Sequence, residues 1–418
     1  MGRTLNRHTS RFALAAACAF SVFVAAPVSA AACRNTGNFE SWLAGFRQEA
    51  AAQGISPQTL AEAAPYMTLD KRIVGIDRGQ RVFNKTFIEF SNHLIPPYRL
   101  QKGQQLLKQH AAEFARIEKE YGVPGPVIVA FWGLESDFGA NMGKEPSLKA
   151  LATLAYDCRR GDFFRGQLMD ALRLIEHGDL AAGEMIGSWA GEVGQIQMMP
   201  TEYNKFAVDF DGDGHRNLLR SVPDIIGSAG NYIRSLGWRR GEPWLRNVRA
   251  GASVPWDQAD LSIRHPVSQW AKWGVKPADG KPLAAPGAED LPASLVLPMG
   301  RFGPAFLVYD NFQVYLKWNQ SLVYSLTAAY FATRLDGEPA MNKGMGTPPP
   351  ALDFEQSKEL QARLKPYGYT GEVDGKLGLG TRTAIKAAQM KLGLPADSYP
   401  TVELLQRLGG RVSQEPIR

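Results

Sequence analysis

The sequence predicts a mainly α protein, and three observations carry that expectation. Apolar residues recur at helical spacing in the N-terminal part of the chain, few β-alternating runs occur before residue 290, and the run Val127-Ile128-Val129-Ala130-Phe131-Trp132 has no polar face. Such a run suits a helix buried on all sides, and Pro124 and Pro126 mark its start. At 418 residues the chain is long enough for two domains whose cores need neither metal nor disulfide to fold. Hydrophobic content of 44% and charged content of 21% are ordinary for a globular protein and assign no function.

The first thirty residues differ from the rest. Arg3, Arg7 and Arg11 precede an apolar segment, 12–24, that ends in small residues around Val28-Ser29-Ala30. This reads as a secretory signal peptide over 1–30, too short in its apolar part to span a membrane comfortably, so the mature chain is expected to be exported without a transmembrane segment. Cleavage removes three arginines and no acid, taking the formal charge from +6 to +3. That is too mild to indicate nucleic acid, though it weakly favours an anionic polymer. Lipidation at Cys33 is the lesser alternative, because Ala30-Ala31-Ala32 lacks the Leu usually found three residues before a lipidated cysteine. Cys18 leaves with the signal, so in an oxidising compartment Cys33 and Cys158 have one intramolecular connectivity, and a Cys33–Cys158 disulfide is expected; the alternative is two buried thiols.

The elements then follow in order. Phe39, Trp42, Leu43, Phe46 and Ala50 share one helix face, and Ser56-Pro57 caps and starts a second helix. Leu106, Leu107, Phe114 and Ile117 continue the pattern to residue 121, ahead of the apolar run. Glu135 directly follows that run. A carboxylate there loses hydration and sits near a helix C-terminus, where the backbone dipole disfavours negative charge, so it should hold its proton tightly, as a general acid must. The bland alternative is a glutamate turned to solvent or paired with an arginine.

Helical segments 148–156 and 163–177 flank Cys158-Arg159-Arg160. The stretch Gly187-Ser188-Trp189-Ala190-Gly191-Glu192-Val193-Gly194-Gln195-Ile196-Gln197 suggests a loop where backbone approaches a ligand and side-chain amides supply hydrogen bonds, or else a tight structural turn. Asp209, Asp211 and Asp213 have the D-x-D-x-D-G spacing of a calcium loop, in which His215 would give its carbonyl. The twelfth position should be a bidentate Glu but is Arg220, so Asp224, at the start of the next helix, is the candidate to close the site. The competing reading has these acids forming Asx turns and pairing with Arg216 or Arg220. Any calcium here is expected to be structural.

Residues 251–300 suggest an irregular subdomain with Trp256, Trp270 and Trp273 mainly in its core, while 305–309 is ambiguous between helix and strand. A helix ends near Arg334, and 337–353, with three successive prolines, reads as a linker. The segment 354–410 alternates helix signals with turn glycines and has the size of a three-helix module.

Taken together, Gly133-Leu134-Glu135-Ser136-Asp137-Phe138-Gly139, Gly187-Ser188-Trp189-Ala190-Gly191, Gly194 with Gln197, Met199-Pro200, the acidic loop, Asn231-Tyr232 and Asn319-x-Ser321 resemble the B-type lytic murein transglycosylases. The C-terminal unit is similar to the three-helix peptidoglycan-binding domain, through Leu360-Gln361, Gly368-Tyr369, Asp374-Gly375, Gly378 and Thr381. The resemblance implies a lysozyme-like catalytic domain over 31–336 with a small β insertion, followed by the linker and a binding module at 354–410. It further implies a periplasmic enzyme that cleaves the β-1,4 bond between N-acetylmuramic acid (MurNAc) and N-acetylglucosamine (GlcNAc), forming a 1,6-anhydro ring, with no required cofactor. Glycan strands are the implied partner, together with cell-wall synthesis or division proteins. Glu135 would act first as acid and then as base, so a second carboxylate is not needed; Asp137 should face away, while Glu145 and Glu192 stay open as second acids. Ser188 would orient Glu135 or bind substrate, Gln197 and Tyr232 would contact sugar groups, and Arg159, Arg160 and Asn319 would line the substrate site. Trp318 stands where the family often has Tyr, and Phe90 where relatives have an active-site Tyr. Two other readings are a non-catalytic wall-binding protein that keeps the fold and a muramidase that uses water.

Overall fold

The computed structural model describes residues 37–79 and 85–410, so Cys33 and the segment 1–30 lie outside the described residues. The N-terminal helices are α1 (Phe39–Ala52), α2 (Pro57–Ala63), α3 (Lys71–Arg78), α4 (Phe87–Leu94), α5 (Pro97–Gln109) and α6 (Ala111–Tyr121). They begin where the capping chemistry places them: Ser56 accepts from Thr59 N at 3.2 Å, and Thr86 and Glu89 form a reciprocal capping box. The apolar run becomes α7 (Gly125–Ser136), which packs against α5, α6, α11 (Val222–Ser235) and α14 (Leu322–Leu335). Residues Val127 to Phe131 have no exposed surface and Trp132 only 2%, the all-round burial that the sequence predicts. Each large apolar side chain there contributes about 2 kcal/mol of burial.

Between α7 and α11 the chain forms α8 (Ser147–Tyr156), α9 (Gly161–Glu176) and α10 (Pro200–Phe206), and a short antiparallel pair, β1 (Glu145–Pro146) with β2 (Ile186–Gly187). The segment expected to be irregular is more ordered than that. It contributes most of a five-stranded antiparallel sheet in the order β4 (His265–Pro266), β6 (Pro292–Val296), β7 (Ala305–Val308), β3 (Leu245–Ala250), β5 (Val275–Pro277). Its register pairs Leu295 with Leu307 and Leu245 with Val308, which settles the ambiguous 305–309 segment as a strand. The sheet has its own core, in which helix α12 (Val267–Lys272) buries Trp270 completely; its indole N–H donates to Ala293 O at 2.8 Å. Trp256 and Trp273 pack beside it.

From β7 the chain enters α13 (Phe312–Trp318) and then α14, returning to the main core beside α7. The proline-rich stretch beyond α14 lies against the sheet: Asn342 N donates to Asn247 Oδ1 at 2.9 Å and Met341 N to Tyr330 OH at 3.2 Å. The C-terminal unit holds α15 (Phe354–Arg363), α16 (Leu379–Lys391) and α17 (Val402–Arg407) around Leu360, Leu364, Ile385 and Leu404. Buried Gln361 ties its turns together, donating to Tyr369 OH at 2.9 Å and accepting from Gly375 N at 2.7 Å.

Candidate active site

Glu135 occupies the last turn of α7, which stops there because Asp137 and Phe138 adopt left-handed backbone (φ 53° and 60°) followed by Gly139 (φ 87°). Non-glycine residues hold that conformation only when their surroundings impose it. Here Arg99 Nε and Tyr98 OH each donate to the Asp137 carboxylate at 2.8 Å, and buried Ser136 Oγ accepts from Gly139 N at 2.9 Å. Gly139 also lies so close to Gln195 that a Cβ would come within 2.5 Å of its amide oxygen, and that oxygen accepts from Trp132 Nε1 at 2.8 Å. The end of α7 is thus fixed from both sides, and Asp137 faces away from Glu135 into an ion pair, as its helical offset predicts.

Glu135 itself is half-buried. Trp318 Nε1, at the end of α13, donates to Glu135 Oε1 at 2.8 Å, and Tyr324 OH, in the first turn of α14, donates to the same oxygen. Burial pushes the Glu135 pKa up to about 7, against the pull of these two donors, and the nearby Glu192 adds to the rise. The Tyr324 phenol is raised well above its ordinary value, first by burial and then by Glu135, so it remains a donor at any working pH. Trp318 stacks on Phe131 with ring centroids 4.1 Å apart, and on its other side meets Tyr232 at 5.2 Å, giving Glu135 an aromatic wall.

The other predicted residues divide between this site and its supports. Tyr232 belongs to the wall; burial raises its phenol to about 12, with Glu202 adding to the effect. Ser188 does not orient Glu135: its hydroxyl donates to Glu192, four residues on in the tight glycine turn. Glu192 is also raised, by burial against the Ser188 bond and the Arg160 charge, so of the two candidate second acids it is the one beside Glu135. Glu145 instead pairs with Arg72 at 2.6 Å and Lys149 at 3.3 Å, which hold its carboxyl below the usual range.

Gln197, in left-handed backbone, donates its amide N–H groups to Gly194 O at 2.8 Å and Met142 O at 3.1 Å, which fixes the side chain within the loop. Arg159 and Arg160 converge on Asp77, Arg159 Nε at 2.7 Å; burial opposes ionisation of Asp77, yet the two guanidiniums hold it below the usual carboxylate range. Asn319 accepts from Ser321 N at 2.9 Å and its carbonyl accepts from Ser325 Oγ at 2.7 Å, fixing the turn that separates Trp318 from Tyr324. Tyr324 is the important residue that the sequence reading missed. Its only signal is position: it lies three residues after the cap Ser321, whose Oγ accepts from Tyr324 N at 3.4 Å. Glu202 was also missed; it stands near Tyr232 with one buried carboxylate oxygen lacking a hydrogen-bond partner.

In the acidic loop, ligand oxygens of Asp209, Asp211 and Asp213 lie within 4.8 Å of one another on the surface. Asp209 accepts from Gly212 N and Gly214 N at 2.7 and 2.8 Å, and Asp213 from His215 N at 2.9 Å, so Asx turns preorganise the loop. Asp224 is not the closing ligand that the sequence suggests. It is buried, with Oδ1 accepting from Phe210 N at 2.7 Å and Oδ2 from Asn217 N at 2.8 Å, and it clamps the two ends of the loop. Arg216 pairs with Asp179 and Arg220 with Glu184 at 2.7 Å, outside the cluster.

A helical domain with one proton-holding carboxylate under an aromatic wall, joined to a small three-helix unit, has the architecture of the lysozyme-like transglycosylases. The chain belongs to the Transglycosylase SLT domain family, whose model matches residues 38–333, and residues 355–408 match the Putative peptidoglycan binding domain. Among characterised relatives, membrane-bound lytic murein transglycosylase B of Escherichia coli (strain K12) is 32% identical over 244 residues, 58% of this chain and 65% of the relative's length. The structure is similar to SltB3 of Pseudomonas aeruginosa, solved with NAG-anhNAM-pentapeptide (TM-score 0.82, 41% identity, 89% of this chain and 99% of that one). It is also similar to Slt35 of Escherichia coli, solved with calcium (TM-score 0.60, 28% identity, 70% of this chain and 92% of that one).

Proposed function

We propose that the chain cleaves the MurNAc–GlcNAc β-1,4 bond of peptidoglycan and closes a 1,6-anhydro ring on MurNAc, with Glu135 as sole acid and base. The observation that carries this reading is the half-buried Glu135 carboxylate, with a pKa raised to about 7 and two donors on one oxygen. Glu135 gives its proton to the glycosidic oxygen as the C1–O4 bond breaks. The carboxylate so formed is stabilised by Trp318 N–H and Tyr324 O–H, and takes the proton of the MurNAc C6 hydroxyl as O6 bonds to C1. No water enters, and Glu135 ends protonated. A hydrolase would need a second, ionised carboxylate across the bond. Asp137 is committed to Arg99, and Glu192, whose pKa burial also raises, is held by the Ser188 hydroxyl. Mass spectrometry of material released from purified sacculi tests this: anhydro-MurNAc ends support it, reducing ends indicate a muramidase, and no release indicates a wall-binding protein.

The NAG-NAM-pentapeptide complex of SltB3 supports peptidoglycan strands as the ligand here. The domain division at 31–336, 337–353 and 354–410 follows the separate cores and the two family matches. Because Trp318 and Tyr324 lie outside the C-terminal unit, truncation after Asp353 is expected to weaken sacculus binding several-fold while short soluble fragments are still cut. Loss of activity on both substrates would contradict that division.

The reading of 1–30 as a secretory leader supports a periplasmic location, and no described helix is long and apolar enough to cross a membrane. Wall synthesis or division proteins are the partner class that this location brings. The Cys33–Cys158 disulfide is supported by Tyr156 OH, which donates to Gly37 O at 3.0 Å and brings the chain just after Cys33 to the end of α8 near Cys158. The oxidised protein is expected to gain about two mass units on reduction, measured on the intact chain. For the acidic loop, three converging carboxylates are the hard oxygen donors that calcium takes, and the Slt35 complex supports that ion. Asp209, Asp211 and Asp213 would hold it and its role would be to stiffen the loop before α11. Calcium at ~1 mM is expected to raise the melting temperature by a few degrees, an effect lost in Asp211→Asn.

A further inference from the structure

A cavity of about 420 Å³ lies where the C-terminal unit meets the sheet and the start of α14, and neither Glu135 nor its partners Trp318 and Tyr324 line it. Its walls come from three places: Asp260, Arg264 and Leu297 on the sheet side, Gln313 and Leu322 on α13 and α14, and Arg382, Thr383 and Ser398 on the C-terminal unit. The volume is in the range of small-ligand sites, and the leucine side chains give it an apolar body.

Its polar groups have one sign left over. Asp260 is engaged by Lys386 at 3.2 Å and by Ser262, Arg264 is paired with Asp310 at 2.5 Å, and Asp397 is paired with Arg301 at 3.3 Å. Arg382 is different. It is half-buried, its guanidinium donates to Leu297 O at 2.7 Å, and Asp397 and Asp260 favour its charge from beyond ion-pair distance. A guanidinium carries five N–H donors in a fork that matches a carboxylate, and among the described residues no carboxylate is paired with this one. Beside it Ser398 holds a left-handed backbone (φ 60°), and its hydroxyl is buried without a hydrogen-bond partner.

We infer that this cavity is a carboxylate-binding site for the free C-terminus of a short peptide, with Arg382 as the anion receptor and the leucine walls taking the adjacent side chain. Resting on the peptidoglycan reading above, the peptide is the stem of the wall polymer, bound between the C-terminal unit and the helices that carry Trp318 and Tyr324. The same chemistry is offered by a free amino acid, and the test separates the two sources.

The test is calorimetric titration of the full chain with a synthetic stem tetrapeptide, with the same peptide amidated at its C-terminus, and with free alanine. Wild type is expected to bind the tetrapeptide, and the amide about ten- to a hundred-fold more weakly, the usual loss for a hydrogen-bonded charge. Arg382→Gln should weaken the tetrapeptide to a similar degree. Thr383→Trp, which fills the cavity without touching the Arg382–Leu297 contact, should do so as well, and keeps the test valid if the first variant misfolds. Glu135→Gln should bind like wild type. Equal affinity for acid and amide, or unaltered binding in Thr383→Trp, overturns the site, and alanine binding as tightly as the tetrapeptide overturns the peptide assignment. A wild type that forms anhydro ends but ignores the tetrapeptide sinks this inference alone; tetrapeptide binding without anhydro ends sinks the catalytic reading alone.

Discussion

Replacing Glu135 by Gln is expected to remove turnover almost completely while leaving sacculus binding in place. Gln keeps the shape of the side chain and still accepts a hydrogen bond, but it has no proton to give to the leaving oxygen and cannot take one from the C6 hydroxyl. Loss of general acid–base catalysis typically costs about 10² to 10⁴ in rate, and here one group serves both steps. Residual lysis above roughly a tenth of wild type, measured as soluble product release, would remove Glu135 from its role.

The same substitution has a second, opposite consequence for stability. The folded pKa of Glu135, about 7, lies above its ordinary value of 4.5 because burial disfavours the charge. The folded state therefore holds more protons than the unfolded state between those values, and stability falls as pH rises from the lower to the upper. Below both values the group contributes no penalty. Above pH 7 the cost of ionising this desolvated carboxylate is on the order of 3 kcal/mol, so the Gln variant should be the more stable protein at pH 8 and equal to wild type near pH 4. Activity has the same sign: kcat/KM should decline as pH rises through about 7, where the general acid loses its proton.

Tyr324→Phe is expected to give the second largest effect. The phenol donates to the Glu135 oxygen that also receives the Trp318 N–H, so its removal destabilises the carboxylate relative to the acid. A hydrogen bond to a charged group contributes about 1.5 to 3 kcal/mol, which corresponds to a rise of about one to two units in the Glu135 pKa. The descending limb of the pH profile should move to higher pH by that amount. The rate should fall about ten-fold or more, because the acid step must then form a less stable anion as the glycosidic bond breaks. A ten-fold fall with an unmoved pH profile would mean that Tyr324 serves packing rather than the charge on Glu135.

Much of this arrangement is visible in the chain. The unbroken apolar run 127–132 has no side to expose, so it had to become a central helix, and a glutamate at its end had to lose much of its hydration. Ser56, Ser221 and Asp353 announce helix starts through local hydrogen bonds that need no tertiary information. The sheet was less legible because its strands are short, β4 having two residues and β5 three, and their pairing joins positions far apart in the chain. Within the site, Glu135 could be read from its neighbours, whereas its partners could not. Trp318 and Tyr324 lie more than 180 residues away, and only the return of α14 against α7 brings them to it. For Ser188 and Gln197 the sequence shows only polar residues in a glycine-rich loop; their partners, Glu192 and the loop carbonyls, are set by the fold. Asp224 was misread for a related reason: spacing places it near the acidic loop, but only the fold shows its oxygens already taken by backbone N–H groups.

Digestion of sacculi in water enriched in oxygen-18 tests the single-carboxylate mechanism most directly. If O6 of MurNAc attacks C1, no solvent oxygen enters, and the released fragments should be unlabelled and lighter by one water than the reducing-end products. Fragments carrying one oxygen-18 at MurNAc C1 would show that water is the nucleophile and would contradict the role assigned to Glu135.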